Sequence, residues 1–178
     1  MKRHIFLIGI ALVAVLYFAG KRLYLKPGFV KGETAVPFSG VLADGSQFQL
    51  SDLKGKYVLL DFWGSWCGPC IKDFPEMKKL KTKFNNAEFR NADGFEIVSI
   101  AIERDAGRWP RAIEKFELDW KYHLLDTVTN LRFFNGAISE AYGVKQLPTT
   151  YLLNPAGEII GVNLPFEEIN KILDRERV

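Results

Sequence analysis

Two cysteines carry the chemistry this chain can perform. They stand three residues apart in Trp66-Cys67-Gly68-Pro69-Cys70, and the sequence has no other cysteine. A Cys-x-x-Cys pair that follows an apolar strand and opens a helix can close to a disulfide and open again. With Cys67 near a helix N-cap and Cys70 one turn on, the two sulfurs fall within bridging distance. Unpaired N–H groups and the helix dipole favour an anionic sulfur at Cys67. Such settings lower a thiol pKa from about 8.5 to somewhere near 3.5–7.5. Cys67 is then the attacking thiol and Cys70 the resolving one. A permanent surface disulfide and half a zinc site are the alternatives. Zinc needs two further ligands, and the only histidines are His4 and His123. No metal or cofactor is required by this reading.

Two acids complete the candidate site. Asp61 interrupts the apolar run Tyr57 to Trp63. A carboxylate there is costly unless paired or protonated, and burial raises its pKa. Such a group can take a proton from Cys70; capping a neighbouring loop is the structural alternative. Asp73 lies one turn beyond Cys70 on the same helix face, where it either shifts the dithiol electrostatically or is a solvated acid at the helix start.

The elements that must position these residues follow from pattern. Tyr57 to Trp63 is apolar on both faces, as in the middle of a parallel sheet. Ile71, Phe74, Met77, Leu80 and Phe84 recur at helical spacing, with Pro75 expected to kink the helix. Val36 to Val41 and Gln47 to Leu50 flank Asp44-Gly45 and predict a hairpin. Phe95 to Ile102 predicts a strand, Trp109 to Phe116 a helix, Tyr122 to Leu125 a short strand, and Ala137 to Tyr142 a short helix ended by Gly143. Thr149 to Leu153 and Glu158 to Val162 are joined by the turn Asn154-Pro155-Ala156-Gly157. Pro165 opens a last helix. Alternating strands and helices with a terminal hairpin argue for an α/β sandwich around a mixed sheet.

The N-terminal segment is of another kind. Ile5 to Ala19 is uncharged and mostly apolar, with Lys2 and Arg3 before it and Lys21 and Arg22 after it. As a helix it spans roughly 22 Å, short of the ~30 Å hydrocarbon core, and flanking residues can add depth. An uncleaved anchor is the preferred reading. A cleaved signal peptide is the alternative, for which Phe18-Ala19-Gly20-Lys21 is a poor processing site. Basic residues at both ends orient the segment weakly. Either route puts the dithiol outside the cytoplasm if the N-terminus stays inside. The organisation read from this is an anchor or signal segment at 1–22, a linker at 23–33 and a domain at 34–178.

Charge and composition narrow the classes. Residues 1–31 hold six of the 24 basic residues and no acid, so residues 32–178 carry 18 basic and 21 acidic groups, a charge near −3. The overall +3 therefore belongs to the N-terminal segment. No basic stripe with interleaved aromatics is present, which argues against nucleic-acid binding. A chain of this length builds a core without staples, so the dithiol is not needed as a clamp.

The segments Val58-Leu59-Leu60-Asp61-Phe62-Trp63, Trp66-Cys67-Gly68-Pro69-Cys70 and Phe74-Pro75 resemble the thioredoxin superfamily. Tyr142-Gly143-Val144 followed by Leu147-Pro148-Thr149 matches its second signature. Lys54-Gly55-Lys56, the Asp44-Gly45 hairpin and Asn154-Pro155-Ala156-Gly157 are similar to the TlpA-like, membrane-anchored disulfide reductases. The match spans about residues 34–175. It implies a thioredoxin-like sandwich, a central mixed sheet flanked by helices, with an N-terminal hairpin extension and a membrane helix. It implies a cis Leu147-Pro148 bond facing the dithiol, a Leu147 backbone that pairs with extended substrate, and a docking surface of Trp66, Gly68 and Pro69. Trp63 is read as core.

The activity implied is extracytoplasmic, on the periplasmic side. It is the reduction of protein disulfides, including the haem-attachment cysteines of c-type apocytochromes, with electrons from a transmembrane thiol–disulfide transporter. Thioredoxins carry a Lys in the strand equivalent to Phe95–Ile102, and this strand has none. TlpA-like proteins often have Asn at the position of Asp61 and Glu at that of Asp73. A peroxiredoxin-like thiol peroxidase is the runner-up, but its Pro-x-x-x-Thr/Ser-x-x-Cys pattern meets Leu60 and Gly64 here. A non-catalytic redox-sensing or binding module is the third class.

Overall fold

The structure, a computed structural model, describes residues 2–26 and 28–178. Met1 and Pro27, which belong to the segments read above as anchor and linker, lie outside the described residues, as do the side chains of residues 2–6, His4 among them.

Helix α1 (Lys2–Tyr24) extends past the apolar run and includes Lys21 and Arg22. Its stretch Leu7–Tyr24 is long and apolar enough to cross a membrane and none of it is buried; at its end, Lys145 Nζ of the domain lies 5.2 Å from the Tyr24 ring centroid. A small antiparallel sheet follows, β1 (Ser39–Val41) with β2 (Gln47–Gln49). Pairing starts at Ser39 rather than Val36; Pro37 has no N–H to donate to a ladder. The turn is built as expected. Asp44 Oδ1 accepts from the Ser46 amide at 2.9 Å, and Gly45 adopts φ +84°, which favours glycine.

The main sheet has the order β5 (Tyr122–Thr127), β4 (Phe95–Glu103), β3 (Tyr57–Trp63), β6 (Thr149–Leu153), β7 (Ile159–Val162). Strands β3, β4 and β5 run parallel; β6 and β7 run antiparallel. All seven residues of β3 are buried. Side chains alternate across a strand, so the two faces of β3 feed separate clusters. Val58, Leu60 and Phe62 pack with the hairpin and with Ile138 of α4 (Ala137–Ala141). Tyr57, Leu59 and Trp63 pack under α2 (Gly68–Phe84), α3 (Arg108–Lys115) and α5 (Phe166–Glu176). Asp61 has the parity of the second set and faces α2.

Of the predicted stripe on α2, Phe74, Met77, Leu80 and Phe84 are buried, together with Cys70, while Ile71 is half-buried. Burying the four large side chains contributes about 6–12 kcal/mol relative to exposure. That exceeds the ~3 kcal/mol cost of a proline inside a helix, and the helix runs on through Pro75. Trp63, Tyr142 and Tyr151 are among the largest fully covered side chains, so the core is strongly aromatic.

Candidate active site: a dithiol at a helix N-terminus

Cys67 is the N-cap of α2 and Cys70 lies in its first turn. Their Cα atoms are 5.3 Å apart and the sulfurs are joined as a disulfide. The Cys70 amide donates to Sγ of Cys67 at 3.2 Å. An N-cap side chain normally supplies an oxygen for this donor; here sulfur takes that place. When the bond is reduced, the same amide and the helix dipole face the charge of a thiolate. Cys67 is 4% exposed and Cys70 1%. Gly68 and Pro69 between them are exposed, and Trp66 is 38% exposed.

The segment before Cys67 is anchored to the end of β4. Trp66 Nε1 donates to the Ile102 carbonyl at 3.0 Å, and the Ser65 amide donates to Oε1 of Glu103 at 2.5 Å. The Cys67 amide closes a tight turn onto the Gly64 carbonyl at 2.9 Å. A Cβ on Gly64 would lie 2.7 Å from Trp66 Nε1, so the indole needs a glycine there. Phe134 packs beside Trp66 with ring centroids 6.1 Å apart.

The second half of the site comes from the loop before β6. Leu147-Pro148 is cis, as the resemblance implied. Thr149 Oγ1 donates to the Gln146 carbonyl at 2.8 Å across it. Leu147 and Pro148 are half-buried. Asp73 and Pro148 share a cleft of about 210 Å3 with Gln146, Thr150, Asn163, Leu164 and Phe166. Asp73 is half-buried, and loss of solvent pushes its carboxyl up from the ordinary value.

Asp61 is buried beneath this assembly. Desolvation pushes its pKa up to about 7, the Ser99 hydroxyl bond at 3.2 Å opposes that shift, and the charge of Asp73 adds to it. A group poised there takes or gives a proton near neutral pH. The structure thus brings Cys67, Cys70, Asp61 and Asp73 to one end of the sheet and α2, beside Trp66, Pro69 and the cis-proline loop. Among the described residues, no cluster of metal-ligating side chains is found. His123 sits inside β5, where burial lowers its pKa to about 4.

Three polar residues of this region were not anticipated. Glu103 is 1% exposed and Ser99 is fully buried, both on β4; Trp120 is 5% exposed and donates to Ser99. The same signal that singled out Asp61 was available for Glu103, an acid closing the apolar strand Phe95–Glu103. Nothing in spacing marks Ser99 or Trp120, whose contacts depend on strand register.

The fold and the redox pair define a class, the thioredoxin-like thiol–disulfide oxidoreductases. The chain belongs to the Redoxin family, whose sequence profile matches residues 30–175. It is 34% identical over 148 residues to thiol-disulfide oxidoreductase ResA of Bacillus subtilis (strain 168), covering 82% of this chain and 70% of that one. It is 29% identical over 163 residues to the thioredoxin-like protein YneN of the same organism, covering 89% and 88%. Among solved structures, it is similar to the thioredoxin domain of a thiol-disulfide oxidoreductase from Bacteroides vulgatus. The TM-score there is 0.70 at 27% identity, covering 82% of this chain and 99% of that one.

Proposed function

We propose that this oxidoreductase works as a reductase of protein disulfides, held at a membrane with its dithiol on the extracytoplasmic side. Residues 1–22 serve as the anchor, 23–33 as the linker and 34–178 as the catalytic domain. The Cys67 thiolate attacks a client disulfide; Cys70 then attacks Cys67 Sγ and frees the reduced client. Asp61 accepts the Cys70 proton and Asp73 tunes the pair through its charge. Trp66, Gly68, Pro69, Leu147 and Pro148 form the surface on which a client segment lies.

One observation carries the reading: Cys67 Sγ occupies the N-cap position of α2 and accepts the Cys70 amide. That placement favours an anionic sulfur while keeping its partner within reach. The apolar helix supports anchoring. Gly68-Pro69 between the cysteines resembles reducing members of the superfamily and supports the direction. The resemblance to TlpA-like reductases supports apocytochrome c as a client and a transmembrane thiol–disulfide transporter as the electron donor.

Trapping tests the proposal. Cys70→Ser in the full chain accumulates mixed disulfides with client proteins, and adding Cys67→Ser abolishes them. If Cys70→Ser collects no client, the protein is a binding module rather than an exchanger.

A further inference from the structure

A single polar row crosses the sheet on the face that meets α2. Thr150 of β6, Asp61 of β3, Ser99 of β4 and His123 of β5 are successive register partners. All four are buried. Ser99 Oγ lies 3.2 Å from Asp61 Oδ2 and 3.1 Å from Trp120 Nε1.

Donor and acceptor roles here follow from chemistry. An indole N–H can only donate. Ser99 oxygen must therefore accept from Trp120, and its one hydroxyl hydrogen is left to donate to Asp61. Trp120 is itself fixed: its ring stacks on His123 with centroids 5.2 Å apart and planes 25° apart. His123 Nε2 lies 3.2 Å from the Leu118 carbonyl, which can only accept, so the hydrogen is on Nε2. No protein donor reaches Asp61 Oδ1 among the described residues.

We propose that Ser99, aimed by Trp120, is a positioning residue that holds Oδ2 of Asp61 and leaves Oδ1 as the oxygen that takes the Cys70 proton. This rests on the roles given to Cys67, Cys70 and Asp61 above. In the step concerned, the Cys70 S–H proton goes to Oδ1 and Cys70 Sγ bonds to Cys67 Sγ. The bond between Cys67 and the client breaks, and its electron pair leaves on the client sulfur, which takes a proton from water. The protein dithiol is oxidised and the client disulfide reduced by two electrons.

The charges facing Asp61 are few. Helix α2 presents Asp73 and the two cysteines; β4 and β6 present the neutral Ser99 and Thr150; β5 presents His123, neutral near pH 7. Ser99 is thus the protein group that favours the ionised carboxylate, where thioredoxins use a lysine. Removing it makes Asp61 hold its proton to higher pH.

The test uses the reduced full chain in detergent micelles and dithionitrobenzoate as the probe. Attack by Cys67 releases one thionitrobenzoate; attack by Cys70 on the resulting mixed disulfide releases a second. The rate of the second release is followed against pH. Ser99→Ala is expected to move its midpoint upward by about one pH unit, a tenfold change in the proton equilibrium. Trp120→Phe moves it the same way by less, and Ser99→Thr restores the wild-type midpoint. In an Asp61→Asn background, Ser99→Ala changes nothing further. A wild-type midpoint in both folded Ser99→Ala and Trp120→Phe overturns the proposal, as does an undiminished shift in the Asp61→Asn background. A wild-type chain that releases only the first thionitrobenzoate overturns the resolving role of Cys70 itself, and this proposal with it.

Discussion

The Glu103 carboxylate, at the last position of β4, accepts the Ser65 amide at 2.5 Å, two residues ahead of Cys67. With Trp66 Nε1 on the neighbouring Ile102 carbonyl, it ties the loop before the dithiol to the sheet at two consecutive residues. Glu103→Ala leaves the Ser65 N–H without its partner, a loss of about 1–3 kcal/mol. Denaturant unfolding of the oxidised protein is expected to show that loss. Tryptophan fluorescence is expected to report a more solvated Trp66. Equal stability of variant and wild type would remove Glu103 from the account.

Asp61 makes stability depend on pH in a definite direction. Its folded pKa, about 7, lies above the unfolded value near 3.8. Between those values the folded state binds more protons than the unfolded one, so stability falls as pH rises. The loss begins near pH 4 and is complete above 7. Asp61→Asn cannot ionise and escapes it. Its advantage over wild type in thermal unfolding is expected to be small near pH 4 and to grow to a plateau above pH 7, at most about 4 kcal/mol. An advantage that does not change with pH contradicts the buried, proton-holding carboxylate.

The two sulfurs differ in surroundings, and their reactions should differ accordingly. Cys67 stands at the helix terminus and accepts the Cys70 amide; Cys70 is inside the first turn against Phe74 and Trp63. Reduced protein treated with limiting iodoacetamide at pH 7 should be alkylated at Cys67 at least tenfold faster than at Cys70, read by peptide mass spectrometry. Comparable labelling of the two would remove the distinction between attacking and resolving thiols.

The linker is held where two glycines meet. A Cβ on Gly28 would fall 2.6 Å from the Tyr142 carbonyl oxygen, and one on Gly143 would fall 2.7 Å from Gly28 Cα. Gly143 also has φ +59°, so a side chain there is strained as well as crowded. Beyond the contact, Phe29 packs on Tyr142 and Tyr151. Gly143→Ala should cost about 1–3 kcal/mol and expose the linker to limited proteolysis near Phe29. Gly28→Ala should expose the same site with a smaller loss of stability. Unchanged proteolysis in both variants would mean that the linker is not docked.

Most of the domain was legible because the signals are local. The near-continuous apolar run and the length of Tyr57 to Trp63, the helical recurrence from Ile71 to Phe84, and the glycine and proline turns at Asp44-Gly45 and Asn154-Gly157 each fix an element by short-range physics. The dithiol was legible for the same reason, since its spacing and its helix start are contiguous in sequence. What escaped depends on lateral register. Ser99 meets Asp61, and Trp120 meets Ser99, only once β3, β4 and the turn before β5 are aligned. The cis bond at Pro148 was likewise invisible to spacing and came only from the resemblance.

Leu147 touches both interior clusters, the one beneath the hairpin and the one beneath α2. The sheet otherwise keeps those two halves apart, and this side chain bridges them at the rim. A guest strand lying along its backbone would lean on both halves at once. The arrival of a guest would then be felt as a tightening of the whole interior rather than of one loop, and amides far from the sulfurs would exchange their hydrogens more slowly.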